Sequence, residues 1–214
     1  MNLPPLYAVL DADACERVGR EVMDVAESFL EAGVTCLQVR AKHDSPAGLL
    51  DLVARVVARA GNRASIIVND RPEIAMLASA AGVHVGQDDM PVAEARALVG
   101  KRAIVGVSTH SVEQATSALD QPVSYIAVGP VFGTSTKDTG YDAVGLALVR
   151  TVSDLARARN IPVVAIGGIT LDTAPSVLDA GAASVCVISD LLKGDPLVRA
   201  RQYLAALGSR FPGR

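Results

Sequence analysis

The sequence predicts an α/β chain closed into an eight-stranded (β/α)8 barrel, the TIM barrel. Three observations point there. Short β-branched runs recur eight times, and several are apolar throughout, as strands buried on both faces of a parallel sheet are. Text of helical period fills the gaps, and the unit repeats about every 25 residues, the size of one strand-and-helix step. No linker, charge block or low-complexity tract interrupts the rhythm, so residues 1–214 read as a single domain. A doubly wound open sheet is the competing arrangement. It normally carries a glycine-rich turn after its first strand, and "LDADACERVG" has no such motif.

The elements follow in order. "LYAVL" from Leu6 is the first strand, and "EVMDVAESFLEAG" the helix after it, with Val22, Val25, Ala26, Phe29 and Leu30 on one stripe. "TCLQV" from Thr35 leads to "SPAGLLDLVARVVARAG". There Ser45 suits the N-cap, Pro46 the first helical position and Gly61 the end, and Leu49, Leu50, Val53, Val56 and Val57 form the stripe. "SIIVN" from Ser65 precedes "RPEIAMLASAAG", and "GVHVG" from Gly82 precedes "PVAEARALVG". "AIVGVS" from Ala103 is paired with "SVEQATSALD", and "YIAVG" from Tyr125 with "VGLALVRTVSDLARARN". "IPVVAIGG" from Ile161 and "SVCVI" from Ser184 complete the set, with "TAPSVLDAG" and "LVRARQYLAALG" as their helices.

Composition narrows the function. The net charge is −3 and no basic face stands out, which argues against nucleic acid as a partner. Cys15, Cys36 and Cys186 are odd in number and widely spaced, so they read as free thiols in a reducing compartment rather than a disulfide framework or zinc cluster. "MNLPPLYAVLD" lacks the basic and apolar regions of a signal peptide, and no uncharged run reaches membrane-spanning length. The expectation is a cytoplasmic protein without a membrane partner; a homo-oligomer is left open.

Polar residues gather where the strands end, the side of such a barrel that carries the site. After the second strand, "QVRAK" places Gln38, Arg40 and Lys42 on alternating positions, hence on one face. Two cations and an amide are costly inside an ordinary core, but they suit a polyanion. After the third comes "NDRP": Asn69 can orient a ligand, and Asp70 can hold a metal or cap the next helix. After the fourth comes "GQDDMP", where Asp89 has the same two readings. Carboxylates converging from neighbouring loops beside a polyphosphate point to magnesium. "GVSTHS" offers the hydroxyls of Ser108 and Thr109 and the imidazole of His110, which is either a helix-start group or catalytic. His84, inside a strand, reads as a satisfied core or rim group, and His43 as solvated.

The loop "AVGPVFGTSTKDTG" contributes Thr134, Thr136 and Lys137, the hydroxyls and ammonium that phosphate oxygens take. "AIGGIT" removes side chains at Gly167 and Gly168, and "VISD" places Ser189 before a helix. Phosphate commonly binds over these last two loops in this fold class. Two anion sites emerge. One uses Arg40, Lys42 and Lys137 with carboxylate-held magnesium, the other Thr134, Thr136, Gly168 and Ser189. Two small phosphorylated substrates beside a metal suit transfer or isomerisation.

The ordered motifs "QVRAK", "VND", "GVHVGQDD", "GVSTHS", "GPVFGTSTK", "AIGGI" and "VIS" resemble those of the thiamine-phosphate synthase family over nearly the whole chain. That resemblance implies a transferase of thiamine biosynthesis. It would join 4-amino-2-methyl-5-(diphosphomethyl)pyrimidine to 4-methyl-5-(2-phosphoethyl)thiazole, or its carboxylated tautomer, giving thiamine monophosphate and diphosphate. It implies that Gln38, Arg40, Lys42, Asn69, Ser108 and Lys137 bind the pyrimidine diphosphate, with Arg40, Lys42 and Lys137 stabilising the leaving group. It assigns Asp70 and Asp89 to Mg2+, and Thr134, Thr136, Gly168, Ser189 and the backbone of Ile188 to the thiazole phosphate. The chain departs from the pattern at Ala41, where the family commonly has an acidic residue. Ala41 should face away from Arg40. A thiazole tautomerase using His110, or a non-catalytic phosphometabolite binder, are the alternatives.

Overall fold

A computed structural model describes residues 3–133 and 142–208. Eight parallel strands close into one barrel in sequence order: β1 (Leu6–Asp11), β2 (Cys36–Arg40), β3 (Ser65–Asn69), β4 (Gly82–Val85), β5 (Ile104–Thr109), β6 (Tyr125–Val128), β7 (Val163–Ile166) and β8 (Ser184–Val187). β1 pairs with both β2 and β8, so the sheet has no free edge. The helices are α1 (Ala12–Arg17), α2 (Val22–Ala32), α3 (Pro46–Ala60), α4 (Pro72–Leu77), α5 (Val92–Val99), α6 (Val112–Leu119), α7 (Gly145–Arg157), α8 (Ala174–Asp179) and α9 (Pro196–Gly208), with a 3-10 turn at Ser189–Leu192.

The expected strands and helices all form, and local chemistry accounts for their ends. Ser45 caps α3, its hydroxyl accepting from the Gly48 amide at 3.1 Å, with Pro46 in the first turn. α4 stops at Leu77, short of the helical text, and Ser79 soon turns the chain left-handed at φ +54°. α1 is the unforeseen helix. The Asp11 carboxylate accepts from the Ala14 amide at 2.8 Å and starts it directly off β1.

Strand alternation divides the apolar residues into two cores. Leu6, Ala8 and Leu10 of β1 face the helices, where they join residues such as Phe29, Val53 and Val149. Tyr7 and Val9 face the barrel interior with Cys36, Ile67, Tyr125, Ala127, Val164 and Cys186. Leu3, which precedes β1, belongs to the interior cluster and closes its lower end. On β2 the same rule sends Leu37 and Val39 outward, while Gln38 and Arg40 reach interior partners. Ala41 belongs to the helix-side cluster, facing away from Arg40 as expected.

The interior holds two tyrosine rings, Tyr7 and Tyr125, edge to face with centroids 5.9 Å apart. Gly106 on neighbouring β5 makes that possible, since a Cβ there would sit 2.1 Å from Cζ of Tyr125. Gly106→Ala should therefore displace the ring and destabilise the barrel by about 1–3 kcal/mol, read as a lower urea midpoint.

Candidate active site

The carboxyl ends of the strands open into two adjoining cavities. The smaller, of about 30 Å3, is lined by Tyr7, Gln38, Arg40, Asn69, His84, Ser108 and Tyr125, among others. The larger, of about 250 Å3, is lined by Ser108, His110, Gly129, Gly133, Gly167, Gly168, Ile188, Ser189 and neighbouring residues. Ser108, Ile166, Cys186 and Ile188 line both. Of the residues expected to hold the first anion, Arg40 lines the smaller cavity, as do Gln38, Asn69 and Ser108, while Gly168, Ile188 and Ser189 line the larger.

A chain of hydrogen bonds floors the smaller cavity. Gln38 Nε2 donates to the Tyr7 hydroxyl at 2.9 Å, which lies 3.0 Å from the Tyr125 hydroxyl. The latter is 2.9 Å from Nδ1 of His84, whose Nε2 is 2.9 Å from Oγ of Ser108. One direction of donation uses each of these protons: Gln38 to Tyr7, Tyr7 to Tyr125, Tyr125 to Nδ1, and Nε2–H to Ser108. The Ser108 proton is then left for the cavity. Burial holds the acidities of Tyr7 and Tyr125 well below those of free phenols, so both hydroxyls keep their protons. His84 is the satisfied buried histidine its strand position suggested.

Arg40 supplies the charge. Its Nη1 donates to Oδ2 of Asp11 at 2.5 Å, and both side chains are buried. Its Nε is buried with no hydrogen-bond partner among the described residues. Asp11 was not singled out by sequence. The signal was present, because Asp11 continues the inward phase of Tyr7 and Val9 at the end of β1. Tyr7 and Tyr125 were passed over as apolar text. The carboxylate holds the guanidinium in place, and an orphaned buried donor calls for an anion.

Other expected residues take different places. Lys42 is exposed and lies beyond the end of β2, so strand alternation does not carry it into the cavity wall. Asp70 and Asp89 follow the adjacent strands β3 and β4 at the same end of the barrel. Asp70 adopts a left-handed conformation, φ +61°, and its amide donates to the His84 carbonyl at 2.7 Å. Neither acid caps a helix: the cap positions of α4 and α5 fall on Arg71 and Pro91. Instead Oδ2 of the exposed Asp89 accepts from the Gly86 amide at 2.7 Å. Thr109 donates its hydroxyl to the Ala127 carbonyl at 2.9 Å and is occupied structurally. His110 lines the larger cavity while its Nδ1 contacts the Gly129 carbonyl. His43 is exposed, with Nδ1 3.0 Å from Asp13. Thr134, Thr136 and Lys137 lie outside the described residues.

The back wall of the larger cavity depends on close backbone approach. Gly168 has φ +64°, and a Cβ there would come within 2.5 Å of the Gly133 carbonyl oxygen. Asp190, also overlooked in the sequence, ties the loop after β8 to its surroundings. Oδ2 accepts from the Tyr203 hydroxyl at 2.6 Å, Arg199 Nη2 at 2.7 Å and the Leu171 amide at 3.2 Å. Burial raises the Asp190 pKa, but donation from Tyr203, Lys193 and Arg199 outweighs it, leaving the carboxyl below its ordinary value of 3.8. A depressed folded-state pKa means stability that is present above the ordinary value and lost as pH falls through the folded one. Against Asp190→Asn, the wild type should hold a constant stability advantage between about pH 7 and 5 and lose it progressively below about pH 4, measured by urea unfolding across pH.

The geometry agrees with known relatives. The sequence family described as thiamine monophosphate synthase matches residues 6–191. A thiamine-phosphate synthase of Koribacter versatilis is 41% identical over 211 residues, covering 98% of both chains. One from Shouchella clausii is 39% identical over 202 residues, covering 94% of each. The solved thiamine phosphate pyrophosphorylase of Pyrococcus furiosus superposes with a TM-score of 0.85 at 28% identity, covering 96% of both chains. The (β/α)8 barrel with paired cavities at its carboxyl end belongs to the thiamine monophosphate synthase family.

Proposed function

We propose that the smaller cavity and its rim take the pyrimidine diphosphate and the larger cavity the thiazole phosphate. The overall reaction is that of a thiamine-phosphate synthase, a transferase acting on these two small molecules. The observation that carries the placement is Arg40, whose buried Nε, beside a cavity, lacks a partner among the described residues while its Nη1 is held by Asp11. A diphosphate oxygen would satisfy that donor. Gln38, Asn69 and Ser108 share the same wall and would orient the pyrimidine. Gly168, Ser189 and the Ile188 backbone would receive the second phosphate. Lys42, Thr134, Thr136 and Lys137 belong to this reading by their place in the motifs.

The bond between the pyrimidine methylene and the diphosphate oxygen breaks with its electron pair on oxygen. The thiazole nitrogen then supplies the pair for the new carbon–nitrogen bond. Arg40, Lys42 and Lys137 would bind the growing negative charge more strongly than the ground state, which is what lowers the barrier. The hydrogen-bonded floor would position the ring for attack. Asp70 and Asp89 are hard oxygen donors on adjacent loops, and one or two carboxylates plus substrate phosphates are the usual Mg2+ ligands, so this donor set fits the ion. When bound, Mg2+ would neutralise diphosphate charge. A cytoplasmic setting accords with three unbridged, buried cysteines.

Purified protein given both heterocycles and Mg2+ should form thiamine monophosphate and diphosphate in equal amounts. Thiazole isomerisation without coupling would replace this reading by a tautomerase. Arg40→Lys, which preserves a cation but not the fork, should lower kcat by about 10- to 100-fold. Asp89→Asn keeps an acceptor for the Gly86 amide and removes the charge. Its Mg2+ requirement and kcat should worsen while thiazole phosphate binding, followed by calorimetry, is unchanged. Small and equal losses in both would argue against a metal role.

A further inference from the structure

Lys193 lies just past the 3-10 turn and lines the larger cavity with Gly168 and Ser189. Among the described residues lining that cavity it is the one lysine or arginine. Its ammonium sits 2.9 Å from Oδ1 of Asp190, with its side chain 67% exposed and that of Asp190 4%. The other carboxylate oxygen, Oδ2, is held independently of the lysine by Arg199, Tyr203 and the Leu171 amide. An ammonium has three donors, and this contact engages one. Arg199 already offsets charge on Oδ2 of Asp190, but it does not line the cavity, so Lys193 is the cation that faces an anion there.

The backbone around Lys193 is also held. Its amide reaches the Asp190 carbonyl at 3.4 Å, Arg20 donates to the Gly194 carbonyl, and Asp195 accepts from the Val198 amide at 3.1 Å. The lysine is therefore presented from a braced turn rather than from a loose surface. We propose that Lys193 binds the phosphate of the thiazole substrate directly, with Asp190 as the positioning residue that aims it. This rests on the assignment of the larger cavity to thiazole phosphate, and it adds a cation to a site otherwise built from hydroxyls and backbone.

The test pairs two variants with two substrates. Lys193→Met should raise KM for thiazole phosphate by about tenfold, as loss of a charged hydrogen bond does. KM for the pyrimidine diphosphate should not move, and Lys193→Arg should recover most of the loss. With the unphosphorylated thiazole alcohol, wild type and Lys193→Met should become equal. A rise of KM for alcohol and phosphate alike, or for both substrates together, would overturn the proposal, as would a shift in thermal unfolding with no change in KM. Calorimetric titration with thiazole phosphate alone separates the proposal from its premise. Weaker binding to Lys193→Met with no product from wild type would keep the lysine contact and reject the synthase assignment. Equal binding would reject the lysine contact.

Discussion

A closed parallel barrel has no sheet edge, and strand alternation turns half of each strand into an interior that excludes bulk water. Any polar group sent inward must therefore find a protein partner or a ligand. Part of the interior avoids the problem with Val9, Ile67 and Val164. The rest cannot, because Gln38, Arg40, Asn69 and His84 are buried there. The architecture of the site follows from how this requirement is met.

Two solutions sit side by side. The chain from Gln38 through Tyr7, Tyr125 and His84 to Ser108 links each side chain to the next by hydrogen bonds, so it acts as a connected floor. Arg40 is charged and only partly satisfied. Asp11 fixes one end of its fork and leaves Nε without a partner among the described residues. The hydrogen-bonded floor and the charged Arg40 thus share one cavity wall, which on the proposed reading would hold an aromatic ring beside a departing anion. The braces on the far side are of the same kind: Asp190 joins the loops after β7 and β8 to α9 through Leu171, Arg199 and Tyr203.

Much of this was readable before the fold was known. The Ser45–Pro46 start of α3, the common face of Gln38 and Arg40, and the outward turn of Ala41 are local consequences of capping and period. Lys42 shows where the rule stops, because beyond the end of β2 its side chain is exposed. Asp70 and Asp89 show another boundary. Their positions before helices suggested caps, but the caps fall on Arg71 and Pro91, and Asp89 closes a turn on Gly86. Tyr7 and Tyr125 carried no distinctive pattern. Their hydroxyls meet across 118 residues, and no window along the chain contains both.

The amino-acid order alone determined the number of units, the direction each strand residue faces and the end of the barrel where polar groups collect, since each depends on a period of two or on residues within one turn. Tertiary closure decided which inward residues meet. The pairing of β1 with β2 sets Asp11 opposite Arg40, and only across the closed interior does Tyr7 reach Tyr125. Facing is a property of the local backbone, whereas partnership is set by the distances that remain once the ring of strands is complete.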